Sequence, residues 1–449
     1  MTISGHFCSN IINYLNNFRF LFNFIENFIV KEEFLHYLWK YRLFTSPLKT
    51  TSGEEIVVLS PGIHNHNAGP DFSDARLRID GNLWAGNVEI HINSSDWLKH
   101  GHHQDPVYDS VILHVVLNND LKDTGSNMPV TEIRDCIDYH VYDTYSSFMA
   151  SRNWVPCVNQ IGSVDKDEIG LWLERMLIER LERKSEYIQG FLEITENDWE
   201  GVFYMMLARS FGFNLNSLPF EMLARSLPYK VLSKHRDNPM QIEALIFGQA
   251  GLLDQQLSEP WPLQLFAEYC FLRKKYGLVP ISPNLWRFMR LRPDNFPTIR
   301  LAQFASLICS QENILSKVLE CPDVTKLTGL FEASASEFWD SHYHFNKQST
   351  TGRKKLGFTS AELLVINAVL PFMFVYGRAI ADDNLCNRAL GFYLQVPGES
   401  NNIIRKWKTA GMPTASAFNT QALMGLKSDY CDKFRCLDCR IGNLLLKSL

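Results

Sequence analysis

Residues 75–92 read ARLRIDGNLWAGNVEIHI. In ARLRI and NVEIHI polar and apolar side chains alternate with a period of two, the pattern of strands that have one covered and one open face. Asp80-Gly81 lies between them. That pair favours a tight hairpin because Gly tolerates positive φ, so the two strands are expected to be antiparallel neighbours. The same texture extends outward as EIVVLS (55–60) and SVILHVVLN (110–118), with PGIHNHNAGP (61–70) and DGN (80–82) as turn formers. Upstream, EEFLHYLWKYRLF (32–44) places Phe34, Leu35, Leu38 and Trp39 at helical spacing.

Beyond Asn153 the periodicity becomes helical throughout. KDEIGLWLERMLIERLERKSEYI (166–188) carries Trp172, Leu173, Met176, Leu177, Ile178 and Leu181 on one broad stripe, with Glu and Arg opposite. NPMQIEALIFGQAGLL, PWPLQLFAEYCFLRKKYGL and TIRLAQFASLIC repeat the pattern with Pro or Gly between them. No repeat of fixed period is present, which argues against a solenoid. The expected fold class is α+β: a small α/β domain with a mainly antiparallel or mixed sheet, then a large all-helical domain, then a cysteine-bearing tail. The expected boundaries are an apolar N-terminal extension over 1–30, the α/β domain over 31–150, the helical domain over 151–425 and the tail over 426–449.

At 449 residues the chain exceeds what one core organises, which agrees with two or three domains. A formal charge of −5 gives no bulk attraction for nucleic acid or an anionic membrane, though a local basic groove remains compatible with it. The first 30 residues are apolar but broken by Asn, Arg and Glu, without a basic start and a small-residue cleavage site. No later stretch reaches roughly 18 uninterrupted apolar residues. Ten cysteines spread unevenly over the chain favour reduced thiols or a metal site over a disulfide framework. The expectation is a cytoplasmic protein with no membrane partner.

VEIHINSSDWLKHGHHQD (88–105) gathers His91, His100, His102 and His103 with Glu89, Asp96 and Asp105. These are nitrogen and oxygen donors of the kind divalent metals take. Alternation along NVEIHI puts Glu89 and His91 on one strand face and Val88, Ile90 and Ile92 on the other. Asp71, in AGPDF, immediately precedes the first hairpin strand and can approach Glu89 across the sheet. Two such carboxylates suit Mg²⁺ or Mn²⁺ and the hydrolysis of a phosphodiester, with His91 completing the shell or acting as a base. Asp96 and His100 sit one helical turn apart, as a metal pair or a simple ion pair. The competing reading is a solvated sheet face with Asp71 capping a turn. His114, inside VILHVV, reads as a hydrogen-bonded core histidine rather than a ligand.

Cys431-x₄-Cys436-x₂-Cys439 brings three thiols into nine residues, a spacing that fits a zinc site or an iron–sulfur cluster. Cys157, after the rigid Trp154-Val155-Pro156, is the first choice for a fourth ligand and Cys8 the competitor. Three ordinary buried cysteines are the alternative. In RPDNFPTIR, Arg292 and Arg300 are read as parts of a rigid connection, and His342 and His344 as packing at a domain edge.

The order helix, strand, strand bearing Pro70-Asp71, strand bearing Glu89-x-His91, helix, strand resembles the restriction-endonuclease-like nuclease core, with its PD and (D/E)-x-K pattern. That resemblance implies a metal held by Asp71 and Glu89 and DNA or RNA as partner. It departs at His91, where the family carries lysine. Helicase–nuclease members of that superfamily pin their core with one upstream and three C-terminal cysteines, an arrangement similar in outline to the tail here. EEFLHYLWK, NAGPDFSDARL, GNVEIHINSSDWLKHGH, WVPC, LIERLERK, IEALIFGQAG, RPDNFPTIRLAQ and YCDKFRCLDCRIGN together resemble the bacterial family designated domain of unknown function 2851, from about residue 31 onward. That family brings no activity with it. The functional expectation is therefore a metal-dependent nuclease-like protein. The alternatives are an interaction protein with metal at the cysteines only, and another metal-dependent hydrolase using His91, His100 and His102.

Overall fold

A computed structural model describes residues 30–65, 67–121, 128–253 and 256–447. Most of the apolar extension and Cys8 therefore lie outside the described residues. The chain opens with helix α1 (Glu32–Tyr41). Strands β1 (Leu48–Lys49), β2 (Glu55–Ser60), β3 (Ile63–His64), β4 (Phe72–Ile79) and β5 (Asn82–Asn93) follow. After a helical turn α2 (Asp96–Lys99) come β6 (Val111–Asn118), β7 (Val130–Glu132) and helix α3 (Tyr139–Met149). The expected hairpin is present. β4 and β5 pair antiparallel from Ile79↔Asn82 to Phe72↔Val88, and Asp80 and Gly81 both take positive φ (47° and 82°). That turn matches the twist of the flanking strands.

One sheet carries the strands in the order β1-β2-β4-β5-β6-β7, with β3 pairing the start of β4. Its first half is antiparallel, whereas β5–β6 and β6–β7 are parallel. β5 is the hinge of this mixed sheet: its early residues pair with β4 and its later ones with β6. β6 is covered almost throughout, which explains its near-continuous apolar run. α1 buries Phe34, Leu35, Leu38 and Trp39, the four residues read as its apolar stripe, together with Tyr37, and packs against β5. The described residues up to 157 and from 434 onward form one compact unit, and those within 158–433 form the other. Within the first, the terminal helix Arg440–Lys447 packs on α3.

The second unit is mainly helical rather than all-helical, since His342–His344 and Lys347–Gln348 pair as a short antiparallel ribbon. Its longest helix, α4 (Lys166–Ile194), starts where the Asp165 carboxylate accepts hydrogen bonds from the Asp167 and Glu168 amides. It buries Trp172, Leu173, Met176, Leu177 and Leu181. Helix α5 (Trp199–Phe211) follows. Among the described residues one helix, Phe358–Ala379, is long and apolar enough to cross a bilayer, with a mean hydropathy of 1.8 over its best window. That window is 67% buried, so its apolarity is accounted for as a core helix of this unit. A π-turn over Val365–Val369 interrupts it. Arg300 is buried and hydrogen-bonds Gln303, Asn295 and Ser360, as a connection-bracing residue does. His342 is buried, stacked on Phe338 and paired with Glu259.

Candidate metal centre

β5 carries the first two groups. Glu89 and His91 share a face, as strand parity requires, and both are buried, at 5% and 2% exposure. His91 Nε2 lies 3.5 Å from Glu89 Oε1. The connection from β5 to the parallel strand β6 must climb back across the sheet end, and its short helical turns deliver two more rings. His100 closes α2 and places Nδ1 3.2 Å from His91 Nε2. His102 begins the next turn, stacks on Tyr108 at 3.8 Å between centroids, and places Nε2 3.3 Å from Glu89 Oε1. One donor atom from each of His91, His100 and His102 lies within 4.8 Å of the others.

These separations can be tested against a metal's demands. Four tetrahedral ligands about 2.1 Å from an ion sit roughly 3.4 Å from one another. Three of the six separations, 3.2, 3.3 and 3.5 Å, lie close to that value, and the three histidine donors are held within 4.8 Å of one another. Three imidazoles and one carboxylate suit a borderline transition ion better than Mg²⁺, which prefers an all-oxygen shell.

Asp71 stands beside Glu89, held by the backbone of β5. Its amide donates to Glu89 Oε2 at 3.1 Å, while the Ile90 amide donates to Asp71 Oδ2 at 2.9 Å. The same Oδ2 lies 3.2 Å from His36 Nε2, on α1. His36 in turn meets His64 edge-on, and His64 stacks on Phe72. Asp71 and Glu89 are thus neighbours through the Asp71 amide, with the Asp71 carboxylate engaged by His36 and the Ile90 amide and Glu89 turned to His91 and His102. Asp96 is used locally: its carboxylate accepts from the Asn93 amide at 3.0 Å and from Lys99 Nζ at 2.7 Å. His103 is exposed and hydrogen-bonded to Gln104.

Burial governs the electrostatics. It pushes Glu89 up to about 8, aided by the charges of Asp71 and Glu32 and opposed by the Asp71 amide. It pushes His91 down to about 4, with His100 and His102 adding to the effect, and His114 down to about 3. Burial also raises Asp71, but the His36 ring and the Ile90 amide outweigh it and hold this carboxyl below the ordinary range. Glu32, on α1, is raised by burial and by Asp71. Burial thus favours the neutral form of the His91 and His114 rings at physiological pH. Sequence reading missed His36 and Glu32, which sit one turn apart on the polar face of α1. Nothing but that i,i+4 spacing marks them.

The cysteines divide between the units. Cys157, Cys436 and Cys439 belong to the first and are buried, whereas Cys431 ends a π-turn of the second. Burial, then the neighbouring Cys439 and Cys436, push the Cys157 thiol up to about 12, and Cys436 is raised to about 12 by burial and Cys439.

The sequence pattern of a family described as a protein of unknown function, DUF2851, matches residues 32–402. The chain belongs to the DUF2851 family. No curated protein and no solved structure matches it. In this DUF2851 chain the matched segment contains the whole histidine and carboxylate cluster and Cys157, and ends before the C-terminal cysteines.

Proposed function

We propose that the chain is a divalent-metal-dependent hydrolase acting on phosphodiesters of DNA or RNA, with His91, His100, His102 and Glu89 holding the ion. The observation that carries this reading is the donor spacing of 3.2 to 3.5 Å around His91 Nε2 and Glu89 Oε1. The nitrogen-rich set selects Mn²⁺ or Zn²⁺ over Mg²⁺. When bound, such an ion polarises a phosphoryl oxygen and acidifies water. Asp71 is the proton acceptor, oriented by His36 and the Ile90 amide. Glu32 adds negative charge beside it. The phosphodiester class is supported by the likeness of strand order and of Pro70-Asp71 and Glu89 to the nuclease core. His91 in place of its lysine converts a charge-stabilising position into a ligand.

Cys157, Cys436 and Cys439 are proposed as thiols of a second, structural site for zinc or an iron–sulfur cluster. No disulfide joins the nine described cysteines, which supports a reducing, cytoplasmic setting.

The test is cleavage of single- and double-stranded DNA and RNA by purified protein with Mn²⁺, Zn²⁺ or Mg²⁺. Metal-dependent cleavage abolished by Glu89→Ala and His91→Ala supports the reading. Stoichiometric metal at the histidines without cleavage of any nucleic acid points instead to hydrolysis of another substrate class. No metal at the histidines and no cleavage leaves an interaction protein.

A further inference from the structure

The helical unit contains a cavity of about 760 Å³ that the hydrolase reading does not use. Its volume lies in the range of small-molecule sites. One wall is a stripe of α4, Arg180, Arg183, Lys184 and Tyr187, at the i, i+3, i+4, i+7 spacing that usually carries apolar side chains toward a neighbour. Here that stripe is basic. Arg209, near the end of α5, and Phe213 just beyond it form a second wall, and the π-turn around Asn367 a third.

The hydrogen bonds show which cations remain available. Arg183 pairs with Asp429 and Arg209 with Glu221, carboxylates that stand behind the cavity wall and orient these guanidinium groups. Arg180 and Lys184 are held differently. Arg180 Nε donates to Gln421 Oε1 at 2.7 Å, and Lys184 Nζ to the Asn367 carbonyl at 3.3 Å, both neutral acceptors. Glu399, which lines the cavity with Glu362, accepts from the Asn367 and Gln421 side-chain amides and acts on both cations through its charge. The Asn367 carbonyl lies within the π-turn and four residues before Pro371, which has no N–H to offer it, and such turns inside helices recur at functional sites. Burial, then the Arg180 charge, push Lys184 down to about 7 against the opposing charge of Glu399.

We propose that this cavity binds a phosphorylated small molecule of the mononucleotide class, its phosphates neutralised by Arg180 and Lys184 and its ring set against Tyr187 and Phe213. Phosphate is the anion that satisfies a guanidinium and an ammonium together, since it offers several acceptors to both. The site lies wholly within 158–433 and does not depend on the histidine cluster.

Isothermal titration of the full chain in EDTA, with ATP, pyrophosphate and adenosine as probes, tests it. Saturable binding of ATP, weaker binding of pyrophosphate and none of adenosine is expected, with affinity reduced by at least about tenfold in Lys184→Met and in Arg180→Gln. Arg180→Lys, which keeps the charge, should retain more binding than Arg180→Gln. Lys184→Met removes a buried ammonium, so its thermal midpoint should equal or exceed that of the wild type and a loss of binding will not reflect unfolding. Unchanged affinity in Lys184→Met, or no saturable binding of either phosphate probe, overturns the proposal. Pyrophosphate binding as tightly as ATP overturns its nucleotide part.

Discussion

Nδ1 of His91 and Nε2 of His114 lie 2.9 Å apart on neighbouring parallel strands, with both rings buried. One proton must sit between them. If His91 offers its Nε2 lone pair to an ion, its Nδ1–H donates to His114 Nε2, and His114 sets the tautomer of the ligand. Such partners behind a ligating histidine commonly tune affinity by about 10- to 100-fold. His114→Phe, close in volume but without an acceptor, should weaken Mn²⁺ or Zn²⁺ binding by about that factor in a chelator competition while the sheet stays folded. His91→Ala should abolish binding at the cluster. Equal affinity in wild type and His114→Phe would remove His114 from the centre.

Glu89 yields a prediction for the metal-free protein. Its carboxyl is raised from an ordinary 4.5 to about 8, so the folded state holds a proton that the unfolded state releases. Stability from this group is complete below pH 4.5 and is lost as pH rises through about 8. Glu89→Gln mimics the protonated acid. In chelator, the variant should match the wild type near pH 4 and exceed it near pH 9 by on the order of 4 kcal/mol in chemical denaturation. Added Mn²⁺ or Zn²⁺ should reverse the order, because the ion stabilises only a chain that still offers the carboxylate. A pH-independent difference between the two proteins would contradict this account of Glu89.

The two proposed metal sites should separate by substitution. Cys436→Ser is expected to remove the metal bound at the cysteines and lower the thermal midpoint of the unit that contains residues 434–447, since a structural site contributes its binding energy to folding. Metal held by the histidines should remain. His91→Ala should do the opposite. Elemental analysis of both variants, with absorbance near 400 nm to distinguish an iron–sulfur cluster from zinc, reads the two sites independently. Loss of all metal from either single variant would mean that the sites are not separate.

What the sequence disclosed tracks how local each cause is. Asp80-Gly81 and the alternation on either side of it were enough for the β4–β5 hairpin, and strand parity was enough to put Glu89 and His91 on one face. His100 and His102 were legible as donors because so many lie within one connection. Asp71 was legible as a neighbour of Glu89 but not in its bonding, since the Ile90 amide reaches it only through the sheet register. His36 and Glu32 reach the cluster through packing of α1 on β5, which leaves no mark in the helix's own pattern. Asp96 shows the reverse: helical spacing joined it to His100, but the closer Asn93 amide and Lys99 took its oxygens. Cys431 and Cys436 are five positions apart, yet the division into units falls between them at 433 and 434.

Gly86 links the fold to the cluster in a way that can be measured. It lies on β5 just before the strand shifts register toward β6, and a Cβ there would stand 2.5 Å from Ile112 Cγ2 and 2.7 Å from the Ser110 carbonyl oxygen. The backbone contact cannot yield as a flexible side chain would, so a methyl group must push β5 away from β6. Glu89 and His91 follow three and five residues later on the strand that moves. Gly86→Ala should therefore cost about 1 to 3 kcal/mol in denaturation of the metal-free protein. It should also weaken metal binding, although it touches no ligand, because donor atoms spaced for one ion lose affinity when a strand shifts by a fraction of an ångström. Gly81→Ala makes the comparison, since a Cβ there meets nothing within 4 Å and the strain of its positive φ stays in the hairpin turn. It should lose stability while leaving the affinity of the surviving folded protein unchanged. If both variants lose stability and neither loses affinity, the close approach of β5 to β6 has no part in setting the donor spacing.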